Sequence, residues 1–273
     1  MPHKPSSIAG HLPRKRFGQN FLHDRSVIDK IVRAINPQAG QHLVEIGPGL
    51  GALTAPLLKV AGELEAVEID RDVIAILEQR CESQGKLTVH SGDVLKFDFR
   101  TLATRGEKLR LVGNLPYNIS TPILFHLLSQ AEVVQDMHFM LQKEVVERLT
   151  AMPNSKEYGR LSIMVQYRCQ THALFLVPPT AFDPPPHVES AIIRLVPYTA
   201  LPHPALDEQH FAQLVNQAFT QRRKTLRNAL KNVVHDEQWQ QLNINPTARP
   251  ETLSVAEFVA LSNGLHHASN PAT

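Results

Sequence analysis

Three glycines, Gly47, Gly49 and Gly51, follow the apolar run of "LVEIGPGLGALT". At the end of a strand and the head of a helix, glycines let the chain turn tightly and bring backbone N–H groups against a ligand. A plain strand-to-helix turn uses the same residues, so the loop takes its meaning from its partners. Glu68 ends the next apolar run, "EAVEID", where a carboxylate can accept from both hydroxyls of an adenosine ribose. Asp93, in "HSGDVL", is placed to accept from an adenine amine. A helix cap or turn is the competing role for either acid, and for Asp93 alone it is the stronger one. Together the three features describe an adenosine site.

Which adenosine cofactor fits is decided by the loop. A dinucleotide needs its third glycine at the sixth motif position to seat a pyrophosphate at the helix N-terminus. Here that position is Ala52 and the glycines read G-x-G-x-G. S-adenosylmethionine fits better, because its ammonium and carboxylate can bond to strand-end carbonyls and N–H groups with no phosphate to neutralise.

A second cluster gives that cofactor something to react with. The segment "LRLVGNLPYNIS" starts as a buried strand and breaks at Gly113, Asn114, Leu115, Pro116 and Tyr117. Turn chemistry explains all of them except Tyr117. If the strand delivers Asn114 beside a methyl sulfonium, its side-chain oxygen and the Leu115 carbonyl can hold the two N–H bonds of an adenine amine. That favours a pyramidal nitrogen, whose lone pair is otherwise delocalised into the ring. Pro116 stiffens the turn, and Tyr117 offers a flat face to an extruded base.

The elements that position these residues follow from periodicity. "DRSVIDKIVRAI" has a helical apolar period with Asp24 or Ser26 as candidate caps. Then "HLVEIG", "ELEAVEID", "LTVHSG", "LRLVGN" and "DMHFML" read as strands, with "ALTAPLLKV", "VIAILEQR" and "PILFHLLSQ" as helices between some of them. This alternation predicts right-handed crossovers and a mostly parallel sheet covered on both faces. After "QKEVVERLT" and a predicted helix over "YGRLSIMVQYRC", the runs "HALFLV" and "SAIIRLV" flank the proline-rich "PPTAFDPPPHVES" and predict an antiparallel hairpin, giving seven strands. The fold expected is α/β, Rossmann-like. "PYTALPHPALDEQ" reads as a linker, and the remainder as helices only.

Composition excludes several classes. The 273 residues include Cys81 and Cys169 as the only cysteines, so no disulfide scaffold is expected and both read as reduced, structural thiols. The histidines are scattered, with no pair at i and i+4 around a carboxylate, and no metal site is expected. No apolar run nears the roughly 18 residues of a membrane span, and the N-terminus lacks a signal-peptide core. A cytoplasmic protein is the reading.

A net charge of +2 means that a polyanion would have to meet local clusters. Two exist: Arg14, Lys15 and Arg16, and a second with Arg222, Arg223, Lys224, Arg227 and Lys231. In the second, Arg223, Arg227 and Lys231 recur every fourth residue, which predicts a basic stripe along one helical face. A solvated face is the competing reading.

These motifs resemble the KsgA (RsmA) family of small-subunit ribosomal RNA adenine dimethyltransferases, relatives of the Erm resistance methyltransferases. The resemblance rests on "RKRFGQNFL", "VEIGPGLGALT", "GNLPYNISTPILF", "MHFMLQKEVVERL", "YGRLSIM", "FDPPPHVESAIIRL" and "FTQRRKT". It implies cofactor contacts from Asn20, Leu22, Gly47, Glu68, Asp93 and Asn114. It also implies a target-base site from Asn114, Leu115, Pro116 and Tyr117, closed on its other side by Phe182.

The implied domains are a flexible tail over 1–12, an S-adenosylmethionine-dependent class I methyltransferase domain over 13–198, a linker over 199–208 and a small helical domain over 209–273. The implied activity is dimethylation of two adjacent adenosines near the 3′ end of 16S rRNA within the assembling 30S subunit, by a monomeric enzyme. The basic clusters are the candidate RNA contacts. A nicotinamide dehydrogenase is disfavoured by Ala52 and by the lack of an evident hydride-site acid. A non-catalytic RNA-binding or ribosome-assembly factor is the other alternative, and intact "NLPY" with Glu68 favours activity.

Overall fold

The computed structural model describes residues 20–104, 106–242 and 244–269. The tail expected over 1–12 and the cluster Arg14, Lys15 and Arg16 lie outside the described residues. Contacts divide the chain into two compact units. One holds the chain through Val146 with His172–Pro197, and the other holds Glu147–Thr171 with the chain from Tyr198 onward.

The first unit is the expected α/β fold. A short strand β1 (Phe21–Leu22) leads into helix α1 (Arg25–Ile35). Strands β2 (Leu43–Ile46), β3 (Glu63–Glu68), β4 (Lys86–Ser91), β5 (Leu109–Asn114) and β6 (Val134–Gln142) then alternate with α2 (Thr54–Ala61), α3 (Arg71–Cys81) and α4 (Ser120–Leu128). Each pair among the first five sheet strands is parallel, while β9 (Ser190–Pro197) runs antiparallel to β6. Strand β7 (Cys169–Val177) lies beside β9 and closes an order of β4-β3-β2-β5-β6-β9-β7. Asp24 caps α1 by accepting from the backbone N–H groups of Ser26 and Val27, which chooses between the two predicted caps.

One pairing has no sequence signature: β8 (Phe182–Asp183) pairs with β1, setting Leu22 opposite Phe182 and Phe21 opposite Asp183. Two-residue strands are too short to show an alternation. The pairing ties the N-terminal segment to the proline-rich loop.

The order of strands creates the site. From β2 the chain steps to β3 and β4 on one side, then returns to place β5 on the other. That reversal between β2 and β5 is the switch point at which open α/β sheets bind ligands, beyond the carboxyl ends of their strands. Gly47 follows β2 and Asn114 ends β5, so both arrive there. The two strands close up at Gly113, where a Cβ would sit 2.5 Å from the Ile46 carbonyl oxygen.

The second unit is helical, but its extent differs from the sequence expectation. The chain enters it within α5 (Lys143–Thr150). Helix α6 (Arg160–Gln166) and the segment before it pack with α7 (Glu208–Thr220) and, after the short α8 (Leu226–Ala229) and α9 (Asp236–Gln241), with α10 (Val255–Ser269), because Tyr158, Ile163 and Tyr167 bury in one core with Phe211, Leu214 and Phe258. Residues 147–171 therefore group with the C-terminal helices, and the chain passes between the units more than once. Among the described residues no helix is long and apolar enough to cross a membrane.

The predicted basic stripe is not a helical face. Helix α7 stops at Thr220, Arg222 to Lys224 form an exposed turn, and α8 spans only Leu226–Ala229. The backbone explains the break: Leu226 N–H donates to the Ala248 carbonyl at 2.8 Å and Arg227 N–H to that of Pro246 at 3.0 Å. Those bonds take the donors that would have continued α7. The five cations remain exposed, with Arg227 paired to Asp236 at 3.2 Å.

The contact at Gly113 yields a test. Gly113→Ala should destabilise the first unit by about 1–3 kcal/mol, the usual cost of overpacking, with a matching fall in the urea midpoint. An unchanged midpoint would mean that the strands separate freely at this point.

Candidate active site

A cavity of about 750 Å³ lies at the carboxyl ends of β2, β3 and β5, within the size range of small-molecule sites. The predicted cofactor contacts Asn20, Leu22, Gly47, Glu68 and Asp93 all line it, and so do Asn114, Leu115, Pro116 and Tyr117. Residues far apart in sequence thus meet around one space.

Each element delivers its residue for a local reason. Gly47, Gly49 and Gly51 have φ of +62°, +54° and +82°, the left-handed region in which side chains are strained. Arg80 of α3 holds the loop by donating to the Leu50 carbonyl at 2.7 Å. Glu68, almost fully buried, has one oxygen accepting from the N–H groups of Ile69 and Asp70 at 2.8 and 2.9 Å. The other oxygen accepts a long bond of 3.3 Å from Gly49 N–H. Burial holds the Glu68 carboxyl above its ordinary range, against the pull of those N–H groups. Asp93 caps the short turn Val94–Lys96 by accepting from Leu95 N–H at 3.0 Å. It is both a cap and a cavity residue.

The strand-β5 end has the polarity that an amine needs. Asn114 Nδ2 donates to the Asn20 carbonyl oxygen at 3.2 Å, and because that partner is an acceptor it fixes which end of the amide is which. Asn114 Oδ1 has no hydrogen bond among the described residues and is free to accept. Leu115 is buried, with its N–H donating to Met140 O at 3.2 Å. The half-buried Tyr117 shares a 2.5 Å hydrogen bond with the Ser190 hydroxyl, and burial raises its phenol above the ordinary value. The ring is what Tyr117 presents.

Phe182 departs from expectation. It is only 2% exposed, packs in the main core and does not line the cavity. Its pairing with Leu22 holds β1 in place, so it supports the wall instead of forming it.

Two residues escape the sequence reading. Glu45 sits in a strand whose four residues are all buried, and an acid inside "LVEI" is itself an anomaly that could have marked it. Its Oε2 has no hydrogen-bond partner among the described residues, and it lines the cavity. Burial pushes its carboxyl up to about 7; the Thr54 hydroxyl offsets this only in part, without reaching hydrogen-bond geometry, and the Glu68 carboxylate adds to the rise. Ser190 gives no sequence signal, because a serine at the start of a strand is commonplace.

The Glu45 shift predicts a pH dependence of stability. A carboxyl that holds its proton to higher pH when folded stabilises the fold fully below about 4.5, and that contribution is lost as pH rises through about 7. Glu45→Gln, neutral at every pH, should therefore melt closer to wild type at pH 5 and gain on it at pH 8. Parallel melting curves across that window would refute a protonated Glu45.

The pattern defining the ribosomal RNA adenine dimethylase family matches residues 10–267. A protein from Alcanivorax borkumensis described as ribosomal RNA small subunit methyltransferase A is 58% identical over 253 residues, covering 93% of this chain and 90% of that relative. One of the same description from Acinetobacter baylyi is 59% identical over 254 residues, covering 93% of each. The crystal structure of a dimethyladenosine transferase from Plasmodium falciparum superposes with a TM-score of 0.77 at 26% identity, covering 91% of this chain and 98% of that one. The chain belongs to the ribosomal RNA adenine dimethylase family.

Proposed function

We propose that the protein transfers methyl groups from S-adenosylmethionine to the exocyclic amines of two adjacent adenosines near the 3′ end of 16S rRNA. The products are dimethyladenosines, made by a monomeric cytoplasmic enzyme on the assembling 30S subunit. One observation carries the reading: Asn114 Oδ1, which makes no hydrogen bond among the described residues, and the ring of Tyr117 share a cavity with the glycine loop and Glu68.

The residues present suit the cofactor. Glu68 has an oxygen with only a long bond to Gly49 and can accept from ribose hydroxyls. Asp93 keeps a second carboxylate oxygen for an adenine amine. Loop N–H groups and strand-end carbonyls suit a carboxylate and an ammonium, and Glu45, whose Oε2 has no partner among the described residues, lines the same cavity. When bound, S-adenosylmethionine supplies an electrophilic methyl on a sulfonium.

The chain's own part is orientation. Asn114 Oδ1 and the Leu115 carbonyl accept from the adenine amine, while the Tyr117 ring stacks on the extruded base. A neutral nucleophile meeting a cation disperses charge, so a dry, oriented site helps more than a strong base. Proton loss follows transfer, because an alkylated aryl ammonium is strongly acidic. After the first methyl only one N–H remains, so one acceptor gives up its bond before the second transfer.

Asn114→Ala should slow both transfers, on the order of a hundredfold if it acts as a transition-state contact. Stacking is worth about 1–3 kcal/mol per base, so Tyr117→Ala should weaken RNA use more than Tyr117→Phe does. Labelled S-adenosylmethionine supplied to under-methylated small subunits, with the modified nucleoside identified by mass, measures both; equal losses for the two Tyr117 variants would remove stacking from the mechanism.

The exposed cations are the proposed RNA grip, with Arg14, Lys15 and Arg16 as a second patch. Charge reversal at Arg223, Arg227 and Lys231 should weaken RNA binding and flatten its salt dependence while sparing the cofactor. Calorimetry with each ligand separately tests this, and loss of cofactor binding would point to damage to the fold.

A further inference from the structure

We infer that Ser190 is a positioning residue that acts through Tyr117, fixing where its ring stands at the cavity wall. The inference rests on the proposed reading of Tyr117 as a base-stacking residue. Tyr117 follows the Pro116 turn, where Ile119 N–H donates to the Pro116 carbonyl at 3.2 Å and the Ser120 hydroxyl to the Tyr117 carbonyl at 3.2 Å. Those bonds fix the backbone but leave the side chain its χ1 freedom. The 2.5 Å hydrogen bond between Tyr117 Oη and Ser190 Oγ removes it, because it pins the far end of the ring. The preference of a phenolic O–H for the ring plane then restrains rotation about the ring axis.

Ser190 is built for that task. It is fully buried at the first position of β9 and pairs in register with Gln142, the last residue of β6. The neighbouring residues clamp the junction: Lys143 N–H donates to the Glu189 carbonyl at 2.9 Å and Lys143 Nζ meets the Glu189 carboxylate at 2.9 Å. The serine hydroxyl is thus presented from the sheet itself, on an element separate from the Pro116 turn. Only a hydroxyl short enough to sit under the ring tip, and able to donate or accept, suits the site. A ring free to swing would stack on the base for a smaller fraction of the time, lowering turnover of RNA without touching the cofactor side.

The test is a double-mutant cycle on kcat/KM for under-methylated small subunits. Ser190→Ala should lower it roughly two- to twelvefold, the range for one net hydrogen bond. Tyr117→Phe, which breaks the same bond from the other side, should cost a similar factor, and Tyr117→Phe/Ser190→Ala should cost no more than either alone. Cofactor affinity measured by calorimetry should stay at the wild-type value throughout. If the two single losses multiply, or if Ser190→Ala also weakens cofactor binding, Ser190 is structural and the inference fails. Should Ser190→Ala not fold, Ser190→Cys keeps the volume with a weaker hydrogen-bonding group and must show the same loss and the same non-additivity. A wild-type enzyme that leaves adenosine unmodified would defeat the proposed function itself, which separates that failure from this one.

Discussion

The site depends on two neighbouring strands ending close together. Strands β2 and β5 approach so tightly at Gly113 that no side chain fits between it and the Ile46 carbonyl, and the chain then turns at Gly47 with a positive φ. Without that approach the loop that faces the cofactor and the amide that faces the base would be separated by a side-chain layer. Methyl transfer needs donor and acceptor within contact distance, so the missing Cβ is a geometric precondition for the chemistry and not merely a packing detail.

Hydrogen bonds to the backbone hold the surrounding wall in place. Glu68 accepts three backbone N–H groups, Asp93 caps a turn, Arg80 is spent on Leu50 O, and the amide nitrogen of Asn114 is spent on Asn20 O. Two oxygens at the cavity make no hydrogen bond among the described residues, the half-buried Asn114 Oδ1 and the buried Glu45 Oε2. A buried acceptor without a partner costs free energy in the empty protein, and a ligand that supplies donors or positive charge recovers it. An adenine amine and a sulfonium cofactor are of that kind.

Much of this was legible in the sequence because the relevant signals are local. Strand-length apolar runs, the glycine spacing and an acid at the end of the second run each carry their meaning within about 20 residues. Asn114 and Tyr117 could be placed because the strand before them is unmistakable. What escaped is decided by partners distant in sequence. The β1–β8 pairing joins segments with no periodicity, and Ser190 matters only because Tyr117 reaches it across 73 residues. The family resemblance places Phe182 in the wall, but an aromatic beside prolines gives no sign of which way its ring turns. Likewise the spacing of Arg223, Arg227 and Lys231 suits a helix, and tertiary bonds from Leu226 and Arg227 to residues near 247 override it.

The far edge of the sheet contributes through α1. Arg110, buried at the amino end of β5, binds Asp136 with Nε and Nη2 at 2.8 and 3.1 Å and donates to Ile35 O at 2.7 Å and Gln41 Oε1 at 2.6 Å. A cation against the last carbonyls of a helix also meets the negative end of its dipole. His138 beside it is held down to about 4, chiefly by burial, with Arg110 and Arg194 opposing its charge against the pull of Asp136. It stays neutral near pH 7 and does not compete for Asp136. Helix α1 has 11 residues, about 16 Å at 1.5 Å per residue, so fixing its C-terminus at one edge of the sheet fixes its N-terminus near the other. There Asp24 caps the helix and the chain continues backwards through Leu22 to Asn20, the residue whose carbonyl orients the Asn114 amide. The polar hub at the amino edge and the reacting amide at the carboxyl edge are thus mechanically linked by a single helix. Buried ion pairs often add little net stability over apolar residues of the same volume, and this linkage gives a physical reason for one here.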